Sequence, residues 1–128
     1  MIFTLAFVIA QSVLPAPTIA DLEGEWSVAL YYAAEQPPST TTMVVQIDDD
    51  GRLGGRFYGS DFEAVQTTIR FDTPTIAAVT SDGSGVYFHS ARLIDGRLEG
   101  QTFSVGRDFL MMWTAERTHD VMSGNEAP

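Results

Sequence analysis

The sequence predicts an all-β domain of eight short antiparallel strands. Three observations carry that expectation. After Asp21, apolar and β-branched residues alternate with polar ones at the period of a strand. Turn signals (Pro-Pro, Asp-Gly, Gly-Ser-Gly) separate these runs at nearly even spacing. Beyond Ala20 no stretch repeats its apolar residues at helical spacing.

The elements follow in order. Trp26, Val28, Leu30 and Tyr32 alternate with Ser27, Ala29 and Tyr31, which reads as the first strand. Glu35-Gln36-Pro37-Pro38 ends it in a loop. Thr40 to Ile47 is β-branched and makes the second strand. Asp49-Asp50-Gly51 is a hairpin turn, because Asp-Gly tolerates positive φ. The third strand runs from Arg52 to Gly59, and the fourth from Phe62 to Phe71 with Val65, Thr67, Ile69 and Phe71 on one face. Thr73-Pro74 breaks it. Thr75 to Thr80, Val86 to Ile94, Arg97 to Phe103 and Phe109 to Arg117 complete the set, with turns at 81–85, Asp95-Gly96 and 105–108. Eight such strands suit an up-and-down barrel or a sandwich, and closure would remove exposed edges.

The chain has 128 residues, enough for one domain with one modest core. Its formal net charge is −10, and all seven basic residues are arginines. That balance repels phosphate backbones and anionic lipid, so no nucleic-acid partner is expected. There is no cysteine, which excludes disulfides, thiol catalysis and cysteine metal sites.

Residues 1–20 have the layout of a secretory signal peptide. Ile2 to Ala10 is uncharged and apolar, Pro15 and Pro17 follow, and Thr18-Ile19-Ala20 puts small residues where a signal peptidase cuts. Only the terminal amine supplies positive charge at the start. The apolar run also fits a buried strand or helix, but the step to acidic Asp21-Leu22-Glu23 favours a leader. The run is too short to span a bilayer, so no stable membrane span is expected after leader removal. The expected organisation is a leader over 1–20, a β domain over 21–118 and a polar, flexible tail over 119–128, in a periplasmic or secreted protein.

Asp50-Gly51-Arg52-Leu53-Gly54-Gly55 returns as Asp95-Gly96-Arg97-Leu98-Glu99-Gly100. Each copy launches a strand from an Asp-Gly turn and places a glycine two residues after an inward leucine, where it permits coiling or close backbone approach.

Gly24-Glu25-Trp26 resembles the Gly-x-Trp that opens the first strand of lipocalins and related calycin barrels. Arg117 ends the last strand, where lipocalins carry an arginine packed across that tryptophan. The resemblance implies an eight-stranded calycin-like barrel in which Trp26 and Arg117 close one end. A guanidinium over an indole contributes about 0.5–2 kcal/mol. The Thr-Asp-Tyr motif, the disulfide and the trailing helix of lipocalins are absent. In size and in its Gly-x-Leu-x-Gly strands the chain is also similar to avidin-like barrels, but its two tryptophans are too few for their biotin site. Periplasmic metalloprotease-inhibitor barrels share its size and expected location.

Few residues suggest catalysis or metal binding. His89 and His119 are the only histidines, and His89 reads as a barrel-face residue hydrogen-bonded to a neighbour. Asp48-Asp49-Asp50 lacks the spacing of a calcium loop and reads as a hairpin turn. No Gly-x-Ser-x-Gly elbow is present. The expectation is a non-catalytic protein with no cofactor, holding a small apolar or amphipathic ligand against Phe57, Phe71, Phe88, Met111 and Trp113. Leu53, Ile69, Val86 and Leu98 share that proposed lumen, which these side chains could equally fill. The alternative is an envelope protein-interaction module such as a protease inhibitor, which the loop at 35–42 and the Tyr31-Tyr32 pair would serve.

Overall fold

The structure is a computed structural model and describes residues 15–33 and 35–118. Most of the expected leader (1–14) and the expected tail (119–128) lie outside the described residues. After a 3-10 turn at Ile19–Leu22 come nine strands: β1 (Gly24–Tyr31), β2 (Ser39–Ile47), β3 (Leu53–Phe57), β4 (Ser60–Asp61), β5 (Ala64–Arg70), β6 (Thr73–Asp82), β7 (Gly85–Ile94), β8 (Arg97–Ser104) and β9 (Phe109–Arg117). The all-β, antiparallel expectation holds. No helix among the described residues is long and apolar enough to cross a membrane.

The strands form one sheet in the order β4-β3-β2-β1-β9-β8-β7-β6-β5. Chain neighbours pair throughout this order except at β4 and β5. The first and last long strands pair as well, with Trp26 opposite Arg117 and Leu30 opposite Trp113. The expected closed eight-stranded barrel does not form: the described residues make nine strands, and no ladder joins β4 to β5. The cause lies in the hairpin after β3. Tyr58 and Gly59, at φ 56° and 85°, turn the chain back after Phe57. The return strand pairs over only Arg56↔Asp61 and Phe57↔Ser60. Phe62 N–H then donates to Gly55 O at 2.9 Å, and Glu63 N–H to Val79 O at 2.7 Å. These two bonds tie the connecting residues to both sides of the seam in place of a ladder.

One end of the curled sheet is solid. Trp26 is fully buried and donates its Nε1–H to Leu22 O at 3.0 Å. The Arg117 guanidinium stacks 4.3 Å over the indole, donates to Glu23 O at 2.8 Å and also reaches Asp21 O. Gly24 lies against it at φ 140°, where an added Cβ would stand 2.6 Å from Arg117 Nη1. The Gly-x-Trp spacing thus has a local reason: the guanidinium occupies the volume of a side chain at Gly24. Leu22 is fully buried, and Ile19, from the expected leader, packs on the same core.

The interior glycines do not open space. A Cβ at Gly100 would fall 2.5 Å from the Trp113 ring, and one at Gly55 1.9 Å from Val44 O and 2.8 Å from the Phe62 ring. Both positions are glycine because a tryptophan, and a crossing backbone with Phe62, already occupy the volume. Among Met43, Phe62, Ile76 and Trp113 the remaining void is about 10 Å³, at the lower limit for one water.

Candidate functional site

The opposite end is a cup. A cavity of about 320 Å³ opens there, at the small end of the range for ligand pockets. Alternation in the strands decides who lines it. Leu30 enters from β1, Phe57 from β3, Thr80 from β6, Tyr87 and His89 from β7, Thr102 from β8, and Phe109 and Met111 from β9. Turns supply the rim: Tyr58 from the β3–β4 hairpin, Ser84 from the β6–β7 turn and Arg107 from the β8–β9 turn, with Tyr32 just past β1.

The floor is polar and ordered. His89 Nε2 lies 2.9 Å from Thr80 Oγ1, and Nδ1 lies 2.8 Å from Thr102 Oγ1. Trp113 Nε1–H donates to the same Thr102 oxygen at 2.9 Å. The Phe57 ring covers the imidazole with centroids 4.3 Å apart. Burial drives the His89 pKa down to about 4, so the ring is neutral at pH 7.

Hydrogen-bond accounting then constrains the floor. A neutral imidazole carries one N–H and one lone pair. The N–H donates to one threonine, and the lone pair accepts the hydroxyl proton of the other. The first threonine keeps an O–H with no acceptor among the described residues. Both threonines are buried and both line the cup. Whichever tautomer holds, the floor offers one hydroxyl donor to an occupant of the cup.

The rim is organised around Asp82 and Arg107. Asp82 Oδ1 accepts Ser84 Oγ–H at 2.8 Å, Ser84 N–H at 2.7 Å and Gly85 N–H at 3.1 Å. These bonds hold its carboxyl below the ordinary aspartate range, the Ser84 hydroxyl contributing most. With its proton given to Asp82, Ser84 Oγ accepts from Tyr87 OH at 3.0 Å and from Arg107 Nη1 at 3.2 Å. Arg107 Nη1 also donates to Tyr87 OH at 2.9 Å. Partial burial, followed by the neighbouring Tyr58, raises the Tyr32 phenol pKa.

Of the five residues expected to face a ligand, Phe57 and Met111 line the cup. Trp113 is buried beneath it and meets its lining through Thr102 and the Phe57 ring. Phe88 and Phe71 are elsewhere. Phe88 is 44% exposed on the outer face, opposite Phe103, with ring centroids 6.4 Å apart. Val86, from the same expected lumen, is 45% exposed beside it. Strand β7 is apolar on both faces near its start, so alternation there is ambiguous. Arg92 breaks the tie: it shares a face with Val86 and Phe88, and turning that face inward would bury an unpaired guanidinium. Phe71 is 92% exposed because it sits at φ 55° in the β5–β6 turn, not on a strand. Ile69 is 38% exposed on the edge strand β5.

Thr80, Thr102, Tyr58 and Arg107 were not among the expected ligand contacts. Tyr58-Gly59 is a residue-glycine pair, a hairpin signal masked by apolar Phe57 and Tyr58. Thr102 and Ser104 are polar residues on the face of Leu98, and that parity points to a polar patch inside. Among the described residues no three His, Cys, Asp or Glu side chains gather as a metal ion requires. No family model, curated protein or solved structure matches the chain.

Proposed function

We propose that this domain is a non-catalytic binder of a small amphipathic ligand, held in the cup. One observation carries the proposal: the interior is solid at the Trp26 end and opens into about 320 Å³ at the other. The walls are apolar where Leu30, Phe57, Phe109 and Met111 stand, and the floor and rim present fixed polar groups. That mixture suits a ligand with an apolar body and a few hydrogen-bonding atoms. His89 is neutral and held at both nitrogens by threonine hydroxyls, which supports its role as a fixed polar floor for a ligand. The leader-like layout of residues 1–20 and the Trp26–Arg117 closure support an exported, calycin-like protein.

Fluorescence titration with N-phenyl-1-naphthylamine tests the proposal. One dye per chain is expected to bind with micromolar affinity, and Phe109→Ala to weaken it by about an order of magnitude through lost wall contact. Emission that never saturates, or is indifferent to Phe109→Ala, contradicts a ligand site in the cup.

A further inference from the structure

The cup reading leaves the charge of the ligand open, and Arg107 bears on it. The seven arginines of this chain divide by environment. Arg52, Arg56, Arg92 and Arg97 each lie within 4.0 Å of a carboxylate. Arg117 is committed to Trp26 and two backbone carbonyls, and Arg70 lies over the Phe71 ring outside the cup. Arg107 alone lines the cavity, and among the described residues no carboxylate lies within 4.0 Å of it.

Its surroundings hold it in place without neutralising it. Nη1 is anchored on two neutral oxygens, Ser84 Oγ and Tyr87 OH. Nη2 and Nε make no hydrogen bond to the described residues, so one edge of the guanidinium fork is unused. Asp82, the nearest acid of the rim, spends Oδ1 on three donors of its own turn. Asp82 also lines the cavity and attracts Arg107 across the gap, but the two are joined by hydrogen bonds only through Ser84 and form no ion pair within 4.0 Å. A planar fork anchored at Nη1 and lining a cavity with apolar walls matches a carboxylate or sulfonate. On a chain of net charge −10, long-range attraction cannot gather anions, so this local group must do the selecting.

We infer that Arg107 is an anion subsite at the mouth of the cup, and that the ligand class is amphipathic monoanions: an apolar or aromatic body beside Phe57, Phe109 and Met111, with a carboxylate or sulfonate on the guanidinium. This rests on the cup being a ligand site. Tyr32, Tyr58 and Tyr87 at the mouth add hydroxyl groups that can donate to such an anion.

Two dyes with one body test it. 1-Anilinonaphthalene-8-sulfonate carries the anion, and N-phenyl-1-naphthylamine lacks it. The full chain should bind the sulfonate dye about tenfold more tightly than the neutral one. Arg107→Met should remove that preference, while Arg107→Lys should keep part of it. Raising the salt concentration should narrow the gap in the unmodified chain and not in Arg107→Met. Equal affinity for both dyes, or a preference that survives Arg107→Met, overturns the subsite and leaves the cup standing. Failure of both dyes to bind overturns the subsite and the cup together. Circular dichroism of each variant establishes that a lost preference is not lost fold.

Discussion

His89 stands between two threonine hydroxyls under a phenylalanine ring, and its burial has a thermodynamic consequence. Its pKa falls from 6.5 to about 4 on folding. Between those values the unfolded chain binds the proton and the native state does not, so native stability falls as pH drops through that window. Below about pH 4 both states are protonated and this group adds no further loss. A shift of that size corresponds to about 3 kcal/mol. Urea unfolding at pH 7 and at pH 4.5 should show that dependence in the natural chain. In His89→Gln the dependence should shrink by up to that amount, whatever the variant's absolute stability, and an unchanged dependence would contradict a neutral native imidazole. The sequence carried half of this site. A histidine on a strand face with a neighbour to bond was legible; which neighbours was not, because Thr80 and Thr102 come from other strands and meet it only through sheet register.

Strands and hairpins were legible where an Asp-Gly pair marked the turn, but not at Tyr58-Gly59. Asp95-Gly96 adopts φ 53° and 82°, the pair a two-residue hairpin requires. At the second strand's end Asp48, not Asp49 or Asp50, organises the turn, accepting the N–H groups of Asp50 and Arg52 on Oδ1 at 2.9 and 2.8 Å. The β5–β6 turn, expected at Thr73-Pro74, lies at Phe71-Asp72, with no glycine and both residues in the left-handed region at φ 55° and 59°. An aromatic there costs about 1–2 kcal/mol, and Asn tolerates the conformation better. Phe71 gives little back, since it is 92% exposed, with the Arg70 guanidinium 5.7 Å from its ring centroid. Phe71→Asn should therefore raise stability by about 1 kcal/mol, or several degrees in the thermal midpoint. A lower midpoint would show that Phe71 makes contacts worth more than its strain. Pro74 is the converse case. It signals a break, yet β6 runs through it, because pairing with β7 starts one residue later at Thr75 and no N–H is needed there.

At the scale of the molecule, alternation and even turn spacing gave the all-β class, but not whether the sheet closes. Closure depends on how two edges meet, and here a two-residue strand is too short to carry a ladder. Nor did composition reveal how the interior divides. The volume beside Gly55 and Gly100 is taken by Phe62, a neighbouring backbone and Trp113, while the cavity lies where Tyr32, Tyr58, Tyr87 and Arg107 converge. The outer wall meanwhile leaves Phe88, Phe103, Leu110 and Met112 exposed, so an apolar probe has two surfaces to choose between. Nitrogen-15 chemical-shift mapping with N-phenyl-1-naphthylamine separates them directly. Ligand capture in the cup predicts saturable shifts at the amides of Thr80, His89, Thr102 and Arg107 and at the Trp113 indole N–H beneath them. Shifts centred on Phe88, Phe103 and Leu110, with the Trp113 indole unmoved, would contradict it.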